Sequence, residues 1–316
     1  MSGLRRAAID VGTNSVKLLI AEIHGNEVRA LDEASHQTRL GQGFYETRKL
    51  QPTAIVNTAE AVADYVEQAK RFACETIRVF STSVAREAVN AAALVQAIEQ
   101  QSGITLEIIS GDQEAEWVFR GVLTDATLPA GPLLLLDVGG GSTEFILGRG
   151  ERRIFSQSFP LGSVRLMETF TISDPPTAAE LHAVTQNVRG LLADQVSPIL
   201  MPVWQHEISE TSAQVQLVGT GGAATILARM AARLTTFDRE VIEAARISSN
   251  WLTQQTEQLW RLSLARRQEL IGLPRSRADV ILTGAVIYQA ILEHFRFREL
   301  RVSTRGLRFA AVLDEG

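Results

Sequence analysis

Short apolar runs closed by glycine-rich breaks open the chain. Ala7-Ala8-Ile9 enters a strand, Gly12-Thr13-Asn14-Ser15 turns it, and Val16 to Ile23 runs back. Gly25-Asn26 turns again and Glu27 to Leu31 continues. The period then changes. Between Pro52 and Cys74 the apolar residues Ile55, Ala59, Val62, Val66 and Ala69 recur at three- and four-residue spacing, which predicts a helix. Ile77 to Phe80 predicts a strand, Val84 to Gln101 a helix, Ile104 to Ile109 a strand and Asp112 to Leu123 a helix. Strands alternating with helices predict an α/β domain.

After Pro129-Ala130-Gly131-Pro132 the order starts again. Leu133 to Leu136 enters, Gly139-Gly140-Gly141-Ser142 turns, and Thr143 to Leu147 runs back. Gly148-Arg149-Gly150 turns and Arg153 to Phe159 continues. Ile9-Asp10-Val11-Gly12 matches Leu136-Asp137-Val138-Gly139, each Asp closing an apolar strand before a glycine-rich hairpin. This internal duplication predicts two similar α/β lobes facing each other across a cleft, with one hairpin from each. A long helical stretch follows from Ala178 to Leu200, then a strand, Val215 to Val218, that enters Gly219-Thr220-Gly221-Gly222. A helix from Ala223 to Leu234, further helices to Phe295, a strand from Leu300 to Ser303 and a short helix from Leu307 to Leu313 close the pattern.

Composition narrows the partners. The 316 residues suit two domains, and 45% hydrophobic with 21% charged residues is ordinary for a globular chain. A net charge of -5 gives no general attraction to nucleic acid, so any polyanion site must be a local gathering of donors. The lone cysteine, Cys74, forms no internal disulfide and falls at the end of a helical run as a packed thiol. The N-terminus reads straight into a strand with no signal peptide, and the run around Leu133 to Leu136 is too short to span a bilayer. Cytoplasmic residence is the expectation. The five histidines are scattered without metal-ligand spacing, and no Walker loop, Gly-x-Ser-x-Gly elbow or Cys pair is present.

The hairpins carry the chemistry. Gly12 lets a ligand approach the backbone, Thr13, Asn14 and Ser15 supply side-chain donors, and successive N–H groups in such a turn form an anion-binding concavity. Gly139, Gly140 and Gly141 in a strand-turn-strand setting are costly unless something must come very close, and a phosphate is that kind of ligand; Ser142 adds a hydroxyl. Asp10, Asp137 and Glu144 would then hold Mg²⁺ (or Mn²⁺), partly through water. Taken singly, each hairpin also fits a tight turn with a polar tip; the matched pair is what points to phosphate.

The pair of motifs resembles the phosphate-binding hairpins of the actin-like ATPase superfamily. Five segments resemble one branch of it, the exopolyphosphatase and guanosine-pentaphosphate phosphohydrolase family: Ile9 to Ser15, Ser81 to Ala88, Ile109 to Ala115, Asp137 to Glu144, and Arg277 to Ile281. They stand in the family's order and cover nearly the whole chain. The resemblance implies two actin-like (ribonuclease H-like) lobes, residues 1–126 with about 304–316, and 127–303. It also implies Mg²⁺-dependent hydrolysis of phosphoanhydrides, and a homodimer. Arg86 matches the family's arginine after a strand-end Ser/Thr cluster, where a guanidinium can clamp phosphate. Glu114 matches the family's proposed catalytic glutamate, which orients or deprotonates the attacking water. Ser110 is a candidate N-cap ahead of it. Asp112 and Glu116 flank Glu114, so position alone does not select it.

Inorganic polyphosphate is the substrate this reading favours, cut one orthophosphate at a time, with guanosine pentaphosphate the alternative. Longer members carry an extra C-terminal helical domain, and its absence here leans towards polyphosphate. A sugar or acetate kinase would need an acceptor motif that is not found, and retention of Arg86, Glu114 and Asp137 argues against a non-hydrolytic sensor. Gly219-Thr220-Gly221-Gly222 fits either a nucleotide-binding turn or close packing. The arginines at 261, 266, 267, 275, 277, 296, 298, 301, 305 and 308 could line a polyphosphate track, but helix faces and helix-end charges account for them more simply. Phe309-Ala310 stands where the family has Glu-Gly, which puts a role for that helix start in doubt.

Overall fold

The computed structural model describes residues 3–128, 131–211 and 214–314, so the predicted break at Pro129-Ala130 lies outside the described residues. The chain divides into two compact units, Met1–Ala126 with Arg305–Gly316, and Thr127–Thr304.

In the first unit β1 (Leu4–Val11), β2 (Val16–His24) and β3 (Glu27–His36) form an antiparallel meander. Then come α1 (Phe44–Thr47), α2 (Pro52–Arg71), β4 (Thr76–Ser81), α3 (Ser83–Glu87), α4 (Ala91–Ser102), β5 (Glu107–Ile108) and α5 (Gly111–Leu123). The sheet order is β3-β2-β1-β4-β5, with β4 parallel to β1 and β5 parallel to β4. Pro52 starts α2, where a missing N–H costs nothing, and Ile55, Ala59, Val62, Val66 and Ala69 face the sheet as their spacing predicts. Cys74 lies just past the end of α2, half-buried against this core, and burial pushes its thiol pKa up.

Two expectations change here. The single helix predicted over Val84 to Gln101 is broken at Ala88, which is extended (φ −76°, ψ 126°). The break lets the Asn90 side chain bond both backbone groups of Leu50, at 2.9 and 3.0 Å, a contact made with a distant segment. The strand predicted over Ile104 to Ile109 shrinks to two residues, because Ile104 and Leu106 pack into the core instead.

The second unit repeats the plan. Its strands β6 (Pro132–Val138), β7 (Thr143–Arg149) and β8 (Arg152–Phe159) form an antiparallel meander, followed by α6 (Ser163–Thr169), α7 (Ala178–Leu191) and α8 (Ser197–Thr211). Next are β9 (Gln216–Thr220), α9 (Gly221–Ala231), α10 (Arg239–Ala244), β10 (Arg246–Ser248), α11 (Ser249–Arg261), α12 (Leu264–Arg267), α13 (Ile281–His294) and β11 (Glu299–Val302). Finally α14 (Leu307–Ala311) belongs to the first unit. The second sheet runs β10-β11-β9-β6-β7-β8, with β9 parallel to β6 and β11 parallel to β9. From its third strand inward this is the order of the first sheet, with β10 added at the far edge. The duplication read from two Asp-Val-Gly runs is therefore a duplication of topology.

The helix predicted to end near Leu200 passes through five residues of π-helix, Leu192–Val196, and continues beyond Pro202. Trp204, stacked on Phe295 with ring centroids 5.6 Å apart, rewards that continuation with core burial. Along α13 nearly every residue from Ile281 to Leu292 is buried, so its sequence shows no amphipathic stripe. Several of the arginines brace backbone carbonyls: Arg267 donates to Ala278 O, Arg305 to Thr124 O, Arg301 to Thr127 O and Arg308 to Leu18 O. No helix among the described residues is long and apolar enough to cross a membrane.

Candidate active site

Ligands of open α/β sheets bind beyond the carboxyl ends of parallel strands. In the first unit three segments leave such ends: Gly12–Ser15 after β1, Thr82–Arg86 after β4, and Ile109–Glu114 after β5. Hydrogen bonds stitch them together. Ser81 Oγ donates to Val11 O at 2.7 Å and Ile109 N–H to Ser81 O at 3.0 Å.

The first hairpin closes through Gly12 N–H to Ser15 O at 3.1 Å. A strap following β3 holds it from behind: Gly41 N–H donates to Thr13 O at 2.7 Å and Arg39 N–H to Asn14 O at 3.1 Å. Gln37 Nε2 donates to Asn14 Oδ1 at 3.2 Å. Thr13 and Ser15 are buried, and Asn14 Nδ2 is a buried donor with no partner among the described residues. Asp10, on the same strand opposite Lys17, is 8% exposed. Burial pushes its carboxyl pKa up, and Lys17 and Arg308 offset part of that.

Arg86 and Glu114 form one unit. Arg86 Nη1 donates to Glu114 Oε2 at 2.7 Å and to Ile109 O at 3.0 Å, while Nε and Nη2 donate to no protein group among the described residues. Ser110 caps α5, its Oγ accepting from Gln113 N–H at 3.1 Å. Of the three acidic residues in this turn, Asp112 is exposed, Glu116 half-buried and Glu114 6% exposed. Packing thus separates Glu114 from neighbours that the sequence leaves equivalent.

The second hairpin reproduces the first at the level of single bonds, Gly139 N–H donating to Ser142 O at 2.9 Å. Glu144, 1% exposed, lies opposite Asp137, and its Oε1 accepts from the hydroxyls of Ser142 (2.9 Å) and Ser158 (2.7 Å). Asp137 pairs in register with Thr220, and a Cβ on Gly221 would collide with Asp137 Oδ1. Tyr288 sits beneath this corner, its hydroxyl donating to Thr220 O at 3.2 Å. Burial first, and the Asp137 charge second, raise the Tyr288 pKa well above the ordinary phenol value. The glycines of 219–222 thus have distinct reasons. Gly219 makes room for Tyr288, Gly221 for Asp137, and Gly222 faces open space.

The predicted metal residues separate on inspection. No three His, Cys, Asp or Glu side chains group as a metal site among the described residues. Magnesium needs no such group, since it uses one or two carboxylates and takes its other ligands from water and substrate phosphates. Asp10 fits, because a dication would compensate a carboxylate whose desolvation Lys17 and Arg308 offset only in part. Asp137, near the carboxyl end of the central strand β6 and beside a backbone that has to be glycine, also fits. Glu144 spends one oxygen on the hydroxyls of Ser142 and Ser158 and so orients Ser142.

Sequence reading missed Ser158, Ser163, Arg165 and Tyr288 around the second hairpin. Only the β7–β8 register, which sets Ser158 opposite Glu144, could have signalled one of them. The others arrive from α6 and α13 through tertiary packing.

The chain is similar to several known proteins. Exopolyphosphatase 2 of Mycobacterium tuberculosis is 34% identical over 307 residues, 94% of this chain and 93% of that protein. The crystal structure of an Aquifex aeolicus member of the Ppx/GppA family is 28% identical. It covers 98% of this chain and 96% of its own, with a TM-score of 0.76. An exopolyphosphatase structure from Cytophaga hutchinsonii, 24% identical with a TM-score of 0.85, shares the fold. The Ppx/GppA phosphatase family profile matches residues 19–315, nearly the whole length, and the chain belongs to that family.

Proposed function

We propose that this protein is an exopolyphosphatase, hydrolysing the terminal phosphoanhydride bond of inorganic polyphosphate to release orthophosphate. The observation that carries it is the buried Glu114 held at 2.7 Å by Arg86 on the strand-end edge that also bears the Gly12–Ser15 hairpin. The resemblance to an enzyme of that name over nearly the full length of both chains supports the choice of substrate.

The chemistry follows from the groups present. Glu114 accepts a proton from water as its oxygen bonds to the terminal phosphorus, and the P–O bond to the bridging oxygen breaks, leaving a chain one phosphate shorter. Arg86 fixes the Glu114 side chain through Nη1, and its Nε and Nη2 donors are left for phosphate oxygens. Each hairpin carries backbone N–H and hydroxyl donors of the kind that bind phosphate. Asp10 in the first unit and Asp137 in the second are each a carboxylate able to hold Mg²⁺ (or Mn²⁺), which when bound would neutralise charge on the phosphates. A homodimer and cytoplasmic residence complete the proposal.

Orthophosphate release from tripolyphosphate, long-chain polyphosphate and guanosine pentaphosphate, each with and without Mg²⁺, tests it. Release from polyphosphate that stops in excess chelator is expected. Release only from guanosine pentaphosphate would reassign the substrate, and binding without release would make the protein a sensor.

The site should also cost stability. Asp10→Asn is expected to raise Tm at pH 7 in metal-free protein, and to lower phosphate release about 10²-fold or more when Mg²⁺ is present. The raised native pKa means the buried carboxyl costs nothing at low pH, where it is protonated in both states. The penalty grows as pH rises from the unfolded value, about 4, through the raised native one. The Tm gap between wild type and variant should therefore close as pH falls to about 4. A gap that is constant with pH would mean the carboxyl is not destabilising.

A further inference from the structure

The second hairpin is gripped by its carbonyls from one side. Gly139 O accepts from the N–H (3.0 Å) and hydroxyl (3.3 Å) of Ser163, and Gly140 O from the N–H groups of Val164 (2.9 Å) and Arg165 (3.0 Å). Gly141 O accepts from Arg165 Nε at 2.7 Å. This approach requires Gly162, where a Cβ would stand 2.5 Å from the carbonyl carbons of Gly140 and Gly141. The gripping segment is itself anchored, since Thr283 Oγ1 donates to Ser163 O at 2.7 Å.

In a planar trans peptide the C=O of one residue and the N–H of the next point in opposite directions. Fixing carbonyls 139, 140 and 141 towards α6 turns the N–H groups of Gly140, Gly141 and Ser142 to the other side. There they find no acceptor among the described residues. Three successive N–H groups aimed one way make a cradle for an anion.

The three carbonyls are not held alike. Two are held by backbone N–H groups, as Thr13 O and Asn14 O are in the first hairpin. The third, on Gly141, is held by a side chain alone. Its hold is one that a side-chain substitution can remove, and Gly141 on its N-terminal side eases rotation of the peptide. Turned over, that peptide would present a carbonyl oxygen to the phosphate in place of an N–H.

We propose that Arg165 is a positioning residue for phosphate binding. By holding the Gly141 carbonyl it keeps the Ser142 N–H aimed at the substrate, without touching the phosphate itself. The proposal rests on the phosphate-binding reading of this hairpin.

The test compares wild type, Arg165→Met and Arg165→Lys. Tripolyphosphate affinity is measured by calorimetry without Mg²⁺, KM and kcat with it, and Tm throughout. Loss of one hydrogen bond to a charged ligand predicts an affinity drop and KM rise of about 10- to 100-fold in Arg165→Met. Lys, which keeps a donor and the charge, should recover part of both. Wild-type affinity and KM in Arg165→Met would overturn the proposal. So would a fall in Tm and kcat with KM unchanged, the mark of a purely structural arginine. Because affinity is read apart from turnover, a wild type that binds tripolyphosphate without cleaving it removes the hydrolase reading and leaves Arg165 to be judged on affinity. A wild type that does not bind it sinks both.

Discussion

Glu114→Gln is expected to cut phosphate release from polyphosphate by about 10²- to 10⁴-fold, the range for losing a general base, with the fold intact. The change is isosteric, so no cavity opens at a site 6% exposed. The amide oxygen still accepts from Arg86 Nη1, which limits the loss of stability to about 1–2 kcal/mol. What disappears is the capacity to take a proton from water. Arg86→Met should behave differently. It strips the partner from a buried carboxylate, so activity and stability fall together, the latter by about 3 kcal/mol. Steady-state phosphate release with chemical denaturation on both variants separates the roles. A Glu114→Gln protein that keeps more than a tenth of wild-type activity would remove Glu114 from the proton transfer.

Gly221→Ala and Gly222→Ala, adjacent and chemically identical, should part company. Gly221 has φ +84°, where an L residue costs about 1–2 kcal/mol, and its Cβ would collide with Asp137 Oδ1. Relief comes by moving the Asp137 carboxylate, and an active-site group displaced by about 1 Å costs about 10²-fold in rate. Phosphate release should fall by that order, with the Mg²⁺ concentration for half-maximal rate displaced upward. Gly222 is in the first turn of α9 with nothing within 4 Å of a Cβ, so alanine there should be neutral or stabilise by up to about 1 kcal/mol. Equal effects from the two substitutions would mean that the close approach to Asp137 has no functional weight.

How much of this was legible beforehand differs between elements. The two Asp-Val-Gly runs were legible because a strand entering a tight hairpin leaves a local pattern: an apolar run, an acid, then glycine. The helix of α2 was legible because one of its faces meets solvent. The break at Ala88 was not, since it answers to Leu50 some forty positions away in the chain. Helices up to Phe295 were expected, but the bounds of α13 were not legible, because a helix buried all round has no stripe to read. The arginines near the C-terminus read as surface charge, yet several are spent on backbone carbonyls, a use that only a folded chain creates.

The sequence by itself determined the α/β class, the doubled hairpin, and the acidic, hydroxyl and glycine residues that could meet phosphate. These depend on local geometry and on residue chemistry carried along the chain. Tertiary structure decided how they are placed and paired. Burial singled out Glu114 from Asp112 and Glu116 and paired it with Arg86. Cross-strand register set Glu144 against Ser158, so that one of its oxygens accepts from the hydroxyls of both Ser158 and Ser142. The docking of α6 turned the Gly139–Ser142 peptides so that their N–H groups share one side. Hydrogen-bond direction and desolvation arise only when distant segments come within about 3 Å of one another, and no pattern along the chain encodes them.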